Sequence, residues 1–162
     1  MDQRWNAAVT VAAIIARQAG EHVEFLLIEE ETDDGLRLNQ PAGHLDPDET
    51  LLDAVVRETL EEAAHDFTPT ALVGTYLSRW TSPLTGASST YLRFAFCGDV
   101  GKQHQRPLDK GILRFLWMSE AEIRASQARH RSPLVLQCVE DYLKGQRAPL
   151  ELVFCHPSAL GR

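Results

Sequence analysis

The chain has no long apolar run, few cysteines and a shortage of positive charge, and each lack removes a class of protein. No stretch reaches the roughly 18 apolar residues that a membrane span requires, so none is expected. Cys97, Cys138 and Cys155 lie far apart, odd in number and without a C-x-x-C pair. That excludes a disulfide framework and a zinc knuckle and suits buried thiols in the reducing cytoplasm. Sixteen Lys and Arg stand against twenty-three Asp and Glu, a formal charge of −7. A grip on nucleic acid polymer through its phosphates is therefore not expected, and a phosphate-bearing ligand would need a cation. Also missing are a G-x-S-x-G elbow, a P-loop, an H-E-x-x-H pair, internal repeats and low-complexity tracts.

What is present is an ordinary globular composition, 44% hydrophobic and 24% charged over 162 residues, long enough to bury a core without disulfide or metal staples. No linker divides it, so residues 1–162 read as a single domain. The apolar run Ala7 to Ala16 follows Arg4 and has the look of a signal-peptide core. Its weakly basic front, and the equally apolar Phe25 to Ile28 soon after, point to strand pairing instead. Thr10 to Ile15 and Val23 to Ile28 read as buried strands around a turn at Gln18 to His22, with Leu36 to Gln40 a short third strand ended by Pro41. Ala42 to Glu49 carries too many turn residues for regular structure and reads as a loop feeding a helix.

From Thr50 the period changes. Leu52, Val55, Val56, Thr59, Leu60 and Ala63 recur at helical spacing, and Thr50 with Asp53 forms a capping box at the start. Ala71 to Leu77, Tyr91 to Cys97 and Leu113 to Met118 read as further strands. Ser119 to Glu122 opens a short helix with a second capping box, and Ser132-Pro133 opens a last helix that stops at Gly145. The C-terminal Glu151 to Cys155 either pairs as an edge strand or docks on a partner.

Glu58, Glu61 and Glu62 sit at i, i+3 and i+4 on the helix after Thr50, one stripe roughly opposite the apolar one. Like charges at this spacing cost about 0.2–0.5 kcal/mol per pair, which a divalent cation would turn into ligation. Oxygen-only donors suit Mg²⁺ or Mn²⁺ better than zinc, and Mg²⁺ shares itself between carboxylates, water and substrate phosphates. A merely solvated acidic face explains the spacing equally well.

The wider frame decides between them. Gly43, Glu49, Arg57-Glu58 and Glu61-Glu62 fall in the register of G-x5-E-x7-R-E-U-x-E-E-x-G-U, where U is a bulky aliphatic, and here the sequence resembles the Nudix hydrolase family. Six such matches occur by chance on the order of once in ten million windows. The box spans about residues 43–65. Thr59 and His65 stand where bulky aliphatics are usual, and Ala64 replaces the second glycine, which implies a different helix exit, one residue longer before Pro69. The runs at Asn39 to Leu45, Leu92 to Phe96, Arg131 to Val135 and Gly145 to Glu151 extend the likeness to the Nudix phosphatases of the NudJ type.

The resemblance implies an α/β fold, a mixed sheet sandwiched between helices with a loop-helix-loop motif. It implies hydrolysis of small phosphorylated metabolites or nucleotides, thiamine-related pyrophosphates and nucleoside di- or triphosphates among them, with release of phosphate. The alternatives are pyrophosphohydrolysis of nucleotide sugars or ADP-ribose, and a nucleotide-sensing module without turnover. By the same resemblance Glu58, Glu61 and Glu62 would hold Mg²⁺ or Mn²⁺ with the carbonyl of Gly43. Arg57 would orient the carboxylates, Glu49 would support the loop and Glu61 would be the general base. Asp109 reads rather as a solvated loop residue. Gln40, His44, Trp80 and Arg93 are the candidates for substrate binding, Tyr76 reads as core, and Arg124, Arg129, His130 and Arg131 read as a solvated helix end. The protein is expected to be a monomer or homodimer.

Overall fold

A computed structural model describes residues 4–161. Two four-stranded sheets form its centre. The first has the order β5-β1-β7-β6, built from β1 (Ala8–Ile14), β5 (Ala42–His44), β7 (Ser88–Gln103) and β6 (His65–Thr81). It is mixed, because β1 runs parallel to β7, pairing Ala8 with Tyr91 and Ile14 with Cys97, while β5 and β6 are antiparallel to their neighbours. In the second, β3 (His22–Thr32) carries β8 (Ile112–Ser119) along one edge, and β2 (Ala16–Ala19) and β4 (Gly35–Asn39) along successive stretches of the other. The expected mixed sheet is thus present as the first, accompanied by a second that is wholly antiparallel.

The central strands β1 and β3 are apolar on both faces because both faces are covered. Along β1 and its end, Val11, Ala13 and Ile15 join Leu26 and Ile28 of β3 beneath α1 (Leu51–Ala63). The alternate residues Ala12, Ile14, Phe25 and Leu27 pack with Ile123 of α2 (Glu120–Ala125) and Val135, Cys138 and Val139 of α3 (Leu134–Leu143). A period of two thus builds two cores from one run of sequence. Among the described residues no helix is long and apolar enough to cross a membrane.

Both capping boxes form: the amide of Asp53 donates to Thr50 Oγ1 at 3.0 Å, and that of Glu122 to Ser119 Oγ at 3.3 Å. Three expectations are corrected and one open alternative is narrowed. The segment after Pro41 is not all loop, since Ala42–His44 pairs with β1 as β5. The runs at Ala71 and Tyr91 are the middles of one long hairpin, whose register shifts hid its length. Helix α1 is not one residue longer, because Ala64 turns left-handed (φ 55°) and ends it. The C-terminal Leu150–Leu152 is a 3₁₀ turn rather than an edge strand.

Candidate functional site

Helix α1 delivers its acids to the interior. The residues it buries are Ala54, Val55, Glu58, Thr59, Glu62 and Ala63, so the acidic stripe does not oppose the apolar one. Instead Glu58 and Glu62 lie on the packed face, turned towards β5. The short strand makes this possible at Gly43, where a Cβ would overlap the Glu58 carboxylate. The amide of Ala42 donates to Glu62 Oε2 at 2.9 Å.

Arg57 is the hub of the charges. Its Nε and Nη2 grip both oxygens of Glu49 at 3.0 and 2.7 Å, a bidentate pair. Nη1 donates to Glu58 Oε1 at 2.8 Å and to Glu61 Oε2 at 3.1 Å, and Nη2 also reaches the carbonyl of His44 at 3.0 Å. The guanidinium holds Glu49 below the usual carboxylate range, and the same contacts push Arg57 further up. Burial acts the other way on the two inward acids. It pushes Glu58 up against the pull of Arg57, and Glu62, with no cation beside it, up to about 9. Among the described residues no three acids, histidines or cysteines converge as a ready metal cluster. Glu61 is turned to Arg57 while Glu58 and Glu62 face inward.

Glu58, Glu62, Gly43 and His44 line a cavity of about 470 Å³, within the range of small-molecule sites. Trp80 and Tyr91 from the β6-β7 hairpin form its aromatic wall, with Arg93 of β7 and Arg131, just before α3, as cations. Arg131 places its guanidinium 5.4 Å from the centre of the Trp80 ring.

The other expected residues fall differently. Gln40 does not line the cavity: it is fully buried, donating to the carbonyl of Val135 at 2.8 Å and accepting from Arg93 Nη1 at 3.1 Å. It can position Arg93 but not touch a ligand. Arg93 does reach the cavity, though its guanidinium is buried and also donates to Asn39 Oδ1 at 3.1 Å. Tyr76 packs against the core and donates to Asp141 at 2.9 Å. The basic cluster divides, with Arg124 paired to Glu120 and Glu140, Arg129 to Glu29, and Arg131 alone lining the cavity.

Sequence reasoning missed Glu30 of β3 and Asn39 of β4, both in the cavity wall. Their signal was weak: Glu30 sits in a run of three glutamates, and only strand alternation tells which one points inward. Asp109 is an exposed loop residue, as the sequence suggested. The amide of that residue donates to the carbonyl of Glu61 at 3.0 Å, and its charge is among those that raise Glu58 and Glu62.

Comparison with known proteins adds the relatives. A sequence model of the NUDIX domain matches residues 6–138. The chain is 34% identical over 146 residues to the phosphatase NudJ of Escherichia coli K12, covering 90% of this chain and 89% of that protein, and equally to NudJ of Shigella flexneri. A NUDIX hydrolase structure from Nitrosomonas europaea superposes with a TM-score of 0.83 at 46% identity, over 93% of this chain and 98% of that one. The NUDIX domain of Shewanella oneidensis NrtR, solved with ADP ribose, shares the fold at a TM-score of 0.70 and 15% identity, over 88% and 90% of the two chains.

Proposed function

The chain belongs to the Nudix family and is a hydrolase acting on pyrophosphates, and from that premise we propose that it releases phosphate from small-molecule pyrophosphates, namely thiamine-related pyrophosphates and nucleoside di- and triphosphates. The observation that carries the reading is one cavity joining a buried acidic floor, Glu58 and Glu62, to a wall of rings and cations, Trp80, Tyr91, Arg93 and Arg131. The first suits a metal-bridged phosphate chain and the second an organic ring.

The residues fit Mg²⁺ or Mn²⁺. The donors are all oxygens, and the two inward carboxylates are desolvated with too little positive charge beside them. Glu58 and Glu62 would hold the ion, joined by Glu61 and the carbonyl of Gly43. When bound, the ion offsets charge on phosphate oxygens and acidifies water. The chain's own residues supply the rest. Arg57 fixes Glu49, Glu58 and Glu61 in one array, so that little reorganisation is needed. Glu61 takes the proton of the attacking water. His44 and Arg93 meet the phosphates, and Trp80, with the Arg131 guanidinium beside it, stacks on the ring.

Phosphate release with Mg²⁺ from thiamine pyrophosphate, nucleoside triphosphates and ADP-ribose, measured side by side, tests the proposal. Orthophosphate from the first two is expected. Pyrophosphate from a triphosphate, or turnover of ADP-ribose alone, would overturn it. Glu62→Gln should keep the fold and lose turnover by orders of magnitude. Glu61→Gln should cost far more than Asp109→Asn; the reverse order moves the base to Asp109.

A further inference from the structure

We propose that Glu30 reads the ligand's ring, selecting a heterocycle with an exocyclic amino group over the same ring carrying an oxo group. The proposal rests on the phosphohydrolase reading above and concerns the ligand's ring where it lies beside Glu30, an acid close enough to the cavity floor for its charge to help raise Glu62. Glu30 Oε1 is buried and, among the described residues, is the one buried side-chain nitrogen or oxygen without a hydrogen-bond partner. Arg131 Nε forms an ion pair with it at 3.4 Å but without hydrogen-bond geometry. Such an orphan in a folded protein calls for an occupant.

The neighbour on the strand shows what a structural acid looks like here. Glu29 points to the other face and is paired with both Arg114 and Arg129. Glu30 instead faces the cavity, beside Asn39 of β4. The carbonyl of that asparagine is already taken by the Gln40 amide and Arg93 Nη2. Its contact with Glu30, like the nearby Arg131 and Arg93, favours the ionised acid against burial. The ionised carboxylate offers acceptor oxygens alone, and it is this form that tells an amino group from an oxo group.

The same wall holds the surface on which a flat ring would lie, Trp80 with the Arg131 guanidinium beside it, and Tyr91. An amino group turned to Oε1 completes the missing hydrogen bond. An oxo group sets acceptor against acceptor, and a site built to bond a donor rejects the analogue without one.

The test compares kcat/KM for two pairs that differ by amino against oxo, CTP with UTP and ATP with ITP, in the wild type and in Glu30→Gln. The amino member of at least one pair is expected to be favoured by about tenfold or more. In the variant, whose amide presents either N–H or C=O, that ratio should fall to near one. A ratio within one variant does not depend on how much of the preparation is folded. Equal wild-type rates within both pairs, or a loss in Glu30→Gln that falls equally on all four substrates, would overturn the proposal, the second by giving Glu30 to the phosphates or the metal. Calorimetric titration of CMP against UMP and AMP against IMP in EDTA repeats the comparison without turnover. An enzyme that hydrolyses none of the triphosphates sinks the function proposed above, while these titrations still judge Glu30: a preference for the amino member, lost in the variant, supports its role, and equal binding ends it.

Discussion

Ala64 adopts a backbone conformation that alanine normally avoids, and the surroundings explain why it is tolerated. With φ 55° and ψ 30° it is left-handed, and its amide still closes the helix on the carbonyl of Leu60 at 3.0 Å. That conformation costs a non-glycine residue about 1–2 kcal/mol. The methyl group is almost wholly buried, at 2% exposure, and burying one contributes about 0.8 kcal/mol. The two terms nearly offset, so Ala64→Gly should shift stability by less than about 1 kcal/mol, or roughly 2–4 °C in Tm. Ala64→Val should cost about 2 kcal/mol or more, since a β-branched residue is a genuine outlier there. Denaturant unfolding of both variants checks this. A tolerated valine and a costly glycine would mean that the helix continues through residue 64.

The pair β5 and α1 is the element on which the site turns, and the two were not equally legible in the sequence. The helix, its capping box and the box register could be read because each is a local pattern: Thr50 with Asp53, and Glu58, Glu61 and Glu62 at fixed spacing. The strand could not, because Ala42–His44 is too short to alternate and is made only by pairing with β1. The apolar residues Leu52, Val56 and Leu60 suggested a buried face that excludes the acids. These three are only half-buried, since the helix is rotated to send Glu58 and Glu62 into the cavity. Periodicity cannot reveal that rotation, because a polar cavity buries carboxylates as an apolar core buries leucine. Glu30 and Asn39 were obscure for the same reason: the cavity exists only after β3, β4 and the β6-β7 hairpin assemble. The close approach of β5 to α1 carries its own prediction. A Cβ at Gly43 would displace the Glu58 carboxylate from Arg57. Gly43→Ala should therefore keep its far-UV circular dichroism yet lose about a hundredfold or more in kcat/KM, as misplacement by about 1 Å typically does. An active Gly43→Ala enzyme would show that Glu58 need not sit where it does.

At the scale of the whole molecule, burying carboxylates couples stability to pH and to metal. Glu62 rises from 4.5 to about 9 on folding, and Glu58 and Glu30 rise in the same direction. Between pH 4.5 and 9 the folded chain therefore binds more protons than the unfolded one. The stability contributed by the protonated Glu62 is full below pH 4.5 and is lost as pH rises through about 9. Glu49, which is lowered, acts oppositely but only as pH falls below 4.5, and His130 opposes only below 6.5. The metal-free protein should thus melt at progressively lower temperature from pH 5.5 to 8.5. A dication binds the ionised carboxylates, so Mg²⁺ competes with protons at low pH and reverses the penalty at high pH. Thermal unfolding at pH 5.5, 7 and 8.5, with EDTA or with Mg²⁺, is expected to show a Mg²⁺-dependent rise in Tm that grows with pH to several degrees, about 2–4 °C per kcal/mol for a chain of this size. Glu62→Gln, which cannot ionise, should flatten the metal-free slope and remove most of the Mg²⁺ shift. A shift that is the same at all three pH values, or that survives in Glu62→Gln, would place the ion on other groups and leave Glu62 a buried acid without a metal.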